Sequence, residues 1–189
     1  MDSKLLKVYD NLVPTPLQNY LEEYITNHAK DNDGGFPLYY TDTLTSESSK
    51  DIDIGFSNLF YENDVIVTRP MALLLSPLYA LTLSQNIRLI EITLGRVFLQ
   101  IPSLSFGPQK PHKDISEPHL VCLYYVNDSD GDTIFFDDNN DEIKRISPKK
   151  GRIAFFDGSI LHCGSKPEKN PRIVINIVFK GQKLNLNQS

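Results

Sequence analysis

From Ile87 onward the sequence runs as short apolar segments separated by clusters of turn-forming residues, and this cadence limits the fold more than any other feature. The stretch "IRLIEITLGRVFLQI" places Ile87, Leu89, Ile92, Leu94, Val97, Leu99 and Ile101 in near alternation, the period of a strand with one buried face. Behind it come "HLVCLYYVN", "DTIFFDD", "EIKRIS", "GRIAFFDG", "ILHCG" and "RIVINIVF", divided by "NDSDGD", "DNND", "SPKKG" and "SKPEKNP". Strands this short, joined by tight turns, predict a mainly β fold, a sandwich or jelly roll, with helices confined to the N-terminal half and packed on one sheet.

That N-terminal half reads differently. "LLKVYDNLVP" predicts a short strand, and the next segment makes Thr15 an N-cap and Pro16 a first-turn residue of a helix whose apolar stripe is Leu17, Tyr20, Leu21, Tyr24 and Ile25. Residues 30–50 are rich in Asp, Asn, Gly, Ser and Thr around "FPLYY", a loop with room for one strand. "MALLLSPLYALTL", Met71 to Leu83, is too short for a bilayer and carries Pro77, so it predicts a buried helix and no membrane association.

A length of 189 residues with 40% apolar and 23% charged side chains suits one soluble domain, here taken as 1–189 with helical support and loops in 1–86 and a β-core in 87–180. The net charge is −5 and Lys and Arg are dispersed, which disfavours a nucleic-acid partner. Cys122 and Cys163 cannot build a disulfide framework, and "MDSKLLKVYDNL" carries no secretory signal pattern, so a reducing, cytoplasmic setting is expected. Oligomeric state is not encoded in any readable way.

The chemistry concentrates in "KPHKDISEPH". His112 and Asp114 are one residue apart, and in an extended segment both side chains share a face. His162, at the end of a predicted strand fifty positions on, is the distal candidate that a jelly roll can bring beside them. Two imidazoles and one carboxylate on one face of an ion leave positions open, as in non-haem Fe(II) oxygenases; zinc is the chemical competitor, and the helical His-Glu-x-x-His of many zinc hydrolases is absent. Ten residues beyond His162, Arg172 shares a strand face with Val174 and Asn176, where its guanidinium fork suits a carboxylate.

With "HKD", "LYYVN", "DGDTIFF", "ISPKKGRIAFFDGSILHCGS" and "PRIVINIVF" in this order and spacing, residues 87–180 resemble the 2-oxoglutarate and Fe(II)-dependent dioxygenase superfamily, in particular its prolyl 4-hydroxylase-like branch. The resemblance implies a double-stranded β-helix, with iron held by His112, Asp114 and His162, and 2-oxoglutarate held by Arg172 and Tyr125. It further implies O₂ as co-substrate, ascorbate as an auxiliary reductant, and hydroxylation of a substrate C–H with release of succinate and CO₂. "DGDT", with Gly131 and Asp132, departs from the family's usual "GGET". The substrate expected from that branch is a peptidyl proline or a related amino-acid side chain; the alternatives are a free amino acid, another small metabolite or a nucleobase, or a non-catalytic β-barrel binding module.

Other conspicuous residues take plainer roles. His119, following Pro118 at a strand entry, is assigned to hydrogen bonding or solvent, and His28 to the C-terminus of the first helix. Alternation turns Cys163 away from the metal. Arg96 and Gln100 share parity on the strand before the His-x-Asp loop, where they face either the pocket or a salt-bridged sheet edge. The acidic "DDNNDE", 137 to 142, lacks a calcium-loop pattern and reads as a hairpin turn.

Overall fold

A computed structural model describes residues 4–26, 36–41, 55–63, 65–67, 71–102 and 110–184. In chain order the elements are β1 (Leu6–Tyr9), α1 (Thr15–Thr26), β2 (Tyr39–Thr41), β3 (Gly55–Glu62), β4 (Val65–Ile66), α2 (Met71–Leu74), α3 (Ser76–Ser84) and β5 (Ile87–Gln100). They continue with β6 (Leu120–Tyr125), β7 (Thr133–Phe136), β8 (Glu142–Ile146), β9 (Ile153–Asp157), β10 (Leu161–Gly164) and β11 (Arg172–Lys183). Every pairing is antiparallel. The larger sheet runs β1-β9-β6-β11-β5-β3-β2 with β4 on β3, and the smaller runs β10-β7-β8.

At its centre the large sheet is buried on both faces, which explains why "RIVINIVF" of β11 is nearly all apolar. One parity of β11, Ile173, Ile175, Ile177 and Phe179, packs with Cys122 and Tyr124 of β6 against Leu21, Ile25, Leu74, Leu78 and Leu81 of the helices. The other parity faces the small sheet, where Val174 joins Val121, Leu123, Tyr125, Phe135, Ile146, Phe156 and Ile160. Arg172 and Asn176 belong to this second face and are buried at 6% exposure each, so the fold carries two polar groups into the space between its sheets.

The helices form where expected, with small shifts. The first α1 bond runs from the Gln18 amide to the Pro14 carbonyl, so the cap falls one residue before Thr15, and the buried Gln18 side chain donates to the Val13 carbonyl. The 71–84 region is broken at Leu75 into α2 and α3, and Pro77 takes the first turn of α3, where its missing N–H costs nothing. No helix among the described residues is long and apolar enough to cross a membrane.

The first 86 residues supply more strand than their composition suggests. β3, "GFSNLFYE", has no alternation to mark it, because Asn58, Phe60 and Tyr61 are buried around a bulge facing β5, between Leu59 and Tyr61. Its order comes from pairing with β5, a contact that local sequence does not encode. Gly95 makes the fit: a Cβ there would lie 2.5 Å from Phe60 Cε2. At the β7–β8 hairpin, the Asp137 carboxylate accepts the amides of Asn139 and Asp141, and Asn140 takes φ 65°, as a turn requires.

Candidate metal and co-substrate site

The two histidines are brought together by backbone pairing. The His112 amide donates to the His162 carbonyl and the His162 amide to the His112 carbonyl, both at 3.0 Å, so the segment entering at Lys110 is clipped to the edge strand β10. The imidazole centroids stand 4.9 Å apart. Asp114, two residues on, completes a cluster whose donor atoms all lie within 4.8 Å of one another.

Hydrogen bonds fix how each donor points. His112 Nδ1 lies 3.2 Å from the Lys110 carbonyl and His162 Nδ1 3.1 Å from the Ile160 carbonyl. A carbonyl only accepts, so Nδ1 carries the proton in each ring and Nε2 keeps its lone pair. Burial is the main force lowering the His162 pKa, reinforced by His112, while Asp114 acts in the opposite direction. His162 is packed by Phe156 at 4.8 Å and Phe135 at 6.1 Å between ring centroids. The Asn176 amide donates to Asp114 Oδ1 at 2.7 Å, leaving Oδ2 buried without a hydrogen-bond partner, 3.6 Å from His162 Nε2. A bare carboxylate oxygen and two imidazole lone pairs converging in a nearly dry place fit a divalent cation; the donor set suits iron or zinc.

A second polar cluster lies four residues from Asn176 on the same β11 face. Arg172 donates to Gln100 Oε1 at 2.9 Å and to Thr133 Oγ1 at 2.8 Å, and Thr133 Oγ1 also accepts the fully buried Tyr125 hydroxyl at 2.7 Å. Burial lowers the Arg172 pKa, and among the described residues no carboxylate bonds to it. A buried guanidinium hydrogen-bonded only to neutral groups is costly unless an anion joins it. Gln100 Nε2 and Arg172 Nε are buried and unpartnered, so donors remain for that anion. Gly131 gives this side chain room, since a Cβ there would meet Arg172 Cδ at 3.1 Å and the Ser165 carbonyl at 2.8 Å.

Thr133, Gln100 in its contact with Arg172, and Asn176 as the tether of Asp114 were not assigned from sequence. Strand parity places Asn176 on the face of Arg172; the register that puts Gln100 opposite Arg172 is a contact across 72 positions and leaves no local mark. His119 stays outside the cluster, buried at 7% exposure with Nδ1 2.7 Å from the Glu117 carbonyl and its ring above Gly158. His28 lies outside the described residues. Cys163 and Cys122 are buried and take part in no disulfide.

A double-stranded β-helix that gathers two histidines and one carboxylate at a strand edge, with a buried arginine deeper on the same face, has the architecture of the non-haem iron oxygenases. Residues 103–180 match the family model of the 2OG-Fe(II) oxygenase superfamily. Among solved structures the fold is similar to a prolyl-4-hydroxylase from Pseudomonas putida, with 13% identity, TM-score 0.65 and 94% of each chain covered. It is also similar to a Trichoplax adhaerens prolyl hydroxylase in complex with a hypoxia inducible factor oxygen degradation domain peptide fragment, with 14% identity, TM-score 0.66 and 94% of this chain and 84% of that one covered. The non-heme alpha ketoglutarate dependent epimerase SnoN from nogalamycin biosynthesis aligns with 12% identity, TM-score 0.62 and 93% and 78% coverage. No curated protein sequence matches significantly.

Proposed function

We propose that this chain hydroxylates an unactivated C–H bond using Fe(II), 2-oxoglutarate and O₂, with His112, Asp114 and His162 as iron ligands and Arg172 as the anchor of the distal carboxylate. The observation that carries the reading is a pair of charged groups left without a partner charge among the described residues: Asp114 Oδ2, whose carboxylate is tethered to β11 through Asn176, at one end, and the Arg172 guanidinium, bonded only to Gln100 and Thr133, at the other. Arg172 and Asn176 are four residues apart, about 13 Å along the strand. A five-carbon dicarboxylate and the arginine side chain span that distance together.

When bound, iron would supply O₂ activation coupled to oxidative decarboxylation of 2-oxoglutarate, giving succinate, CO₂ and a hydroxylated product. The protein's share is orientation and exclusion of water. Asn176 holds Asp114 Oδ1, so that the carboxylate offers one oxygen and coordination positions stay open. Arg172, with Thr133, Tyr125 and the unpartnered Gln100 amide, orients the distal carboxylate among buried side chains, where charge-assisted bonds are strong. Phe135 and Phe156 shield the His162 edge from water.

The leading substrate class is a peptidyl proline or related amino-acid side chain, supported by the shared fold of the two prolyl hydroxylases. Ascorbate would serve as a reductant for iron oxidised in unproductive cycles, and two buried cysteines outside any disulfide support a cytoplasmic setting. The test is conversion of 2-oxoglutarate to succinate by iron-loaded protein, followed by NMR. Succinate that depends on added Fe(II) and disappears in His162→Ala supports the reading; its absence under all substrates tried, with iron and 2-oxoglutarate demonstrably bound, favours a binding module.

A further inference from the structure

Arg96 stands at the iron end of the site without a bonding partner among the described residues. On β5 it has the parity of Gln100, and the β5–β11 register pairs Arg172 with Gln100, Val174 with Phe98 and Asn176 with Arg96, without a bulge between them. Cross-strand partners share a face. Gln100 reaches Arg172 and Asn176 reaches Asp114, so this face of β5 looks into the space between the sheets. Arg96 is therefore one strand away from the residue that tethers Asp114.

Its bonding sets it apart from the other described arginines. Arg88 bonds Gln182, Arg145 bonds Glu142, Arg152 bonds Asp10, and Arg172 bonds Gln100 and Thr133, whereas half-buried Arg96 has no hydrogen bond or ion pair among the described residues. Its flanking cross-strand neighbours on this face are Leu59 of β3 and Asn176 of β11, and Leu123 of β6 lies beyond Asn176. None is acidic. Asn176 Oδ1, in a side chain only 6% exposed, is a second unpartnered atom in the same place and accepts rather than donates.

We propose that Arg96 receives a carboxylate of the hydroxylated substrate, with Asn176 Oδ1 accepting an N–H or O–H beside it. The inference rests on the hydroxylase reading and deepens it by naming the substrate's charge. A guanidinium partly withdrawn from water, with no acid among its described cross-strand neighbours, binds a carboxylate through a two-pronged, charge-assisted contact. That carboxylate is either the α-carboxylate of a free amino acid or the side chain of an acidic residue flanking the target in a peptide.

The experiment uses whole protein loaded with Mn(II) and N-oxalylglycine, a stable 2-oxoglutarate analogue that fills the chelating positions, and reads paramagnetic relaxation of acetate methyl protons. Saturable relaxation is expected in the parent protein. Arg96→Gln should weaken the acetate affinity about tenfold or more, the worth of one charge-assisted contact, and Arg96→Lys should recover part of it. L-Proline displacing acetate identifies the α-carboxylate as the source; blocked Asp-Pro peptide displacing it identifies the acidic side chain. Either supports the proposal. No saturable relaxation in the loaded parent, unchanged affinity in a folded Arg96→Gln, or equal displacement by L-prolinamide and blocked Asn-Pro peptide overturns it. Failure to load Mn(II) or N-oxalylglycine is a separate result that sinks the hydroxylase reading itself.

Discussion

The residues of the site are poised by neighbours that do no chemistry. Asn176 holds one oxygen of Asp114, and groups of this kind are typically worth 10- to 100-fold in metal affinity. Asn176→Ala should weaken Fe(II) or Mn(II) binding by about that factor in a metal titration, while leaving the melting temperature near the parent's; unchanged affinity would mean that Asp114 needs no tether. At the other end, Arg172→Ala should raise the 2-oxoglutarate concentration required for half-maximal binding by about 30-fold or more, from roughly 2 kcal/mol or more for removing one member of a buried charge pair. Iron affinity should stay close to the parent's. Gly131→Ala should move the same parameter in the same direction through pressure on Arg172 Cδ, although Gly131 has no side chain to touch the co-substrate. A Gly131→Ala variant with parental 2-oxoglutarate affinity would show that Arg172 can yield without loss.

At the level of elements, the C-terminal half was legible because each strand from β5 to β11 is bounded by its own turn signal, such as the Asp137 hairpin or the Asn-Pro before Arg172. β3 was not, because its Gly55, Ser57 and Asn58 are poor strand formers locally and gain their order from β5. The triad's spacing was legible for a similar reason: His112 and Asp114 advertise themselves by an i, i+2 pattern, while the Gln100 and Thr133 partners of Arg172 depend on register between distant strands. The β3–β5 fit is testable through Gly95→Ala, which forces a methyl group onto Phe60 and should cost about 1–3 kcal/mol in chemical denaturation. A neutral result would mean that the bulge in β3 absorbs it.

A second element-level contact joins the β1–α1 turn to the start of β9. Arg152 donates to both Asp10 oxygens at 2.8 and 3.0 Å, and this contact holds the Asp10 carboxyl below the usual carboxylate range. The pair is partly exposed, so its worth is at most about 1 kcal/mol. A depressed folded-state pKa means that the stabilisation is present above the ordinary aspartate pKa and fades as pH falls through the lower folded value. Asp10→Asn should therefore lower the melting temperature slightly at pH 7 and converge with the parent in acid. A gap that persists unchanged into strong acid would point to a cause other than this ion pair.

Taken as a whole molecule, the protein is two antiparallel sheets closing over a polar seam, and the seam's two unmet charges are what the fold is arranged to display. The large sheet has helices against its outer face, and this two-sided burial lets β11 carry Arg172 and Asn176 inward while Ile173, Ile175 and Ile177 hold it to the helices. On the proposed reading this seam holds Fe(II) and 2-oxoglutarate together. Anaerobic addition of both to the protein should produce the weak visible charge-transfer band of the iron chelate, a band that His112→Ala or Asp114→Ala abolishes and Arg172→Ala shifts to higher 2-oxoglutarate concentration. A well-folded, iron-loaded protein that develops no such band at saturating 2-oxoglutarate would contradict the account.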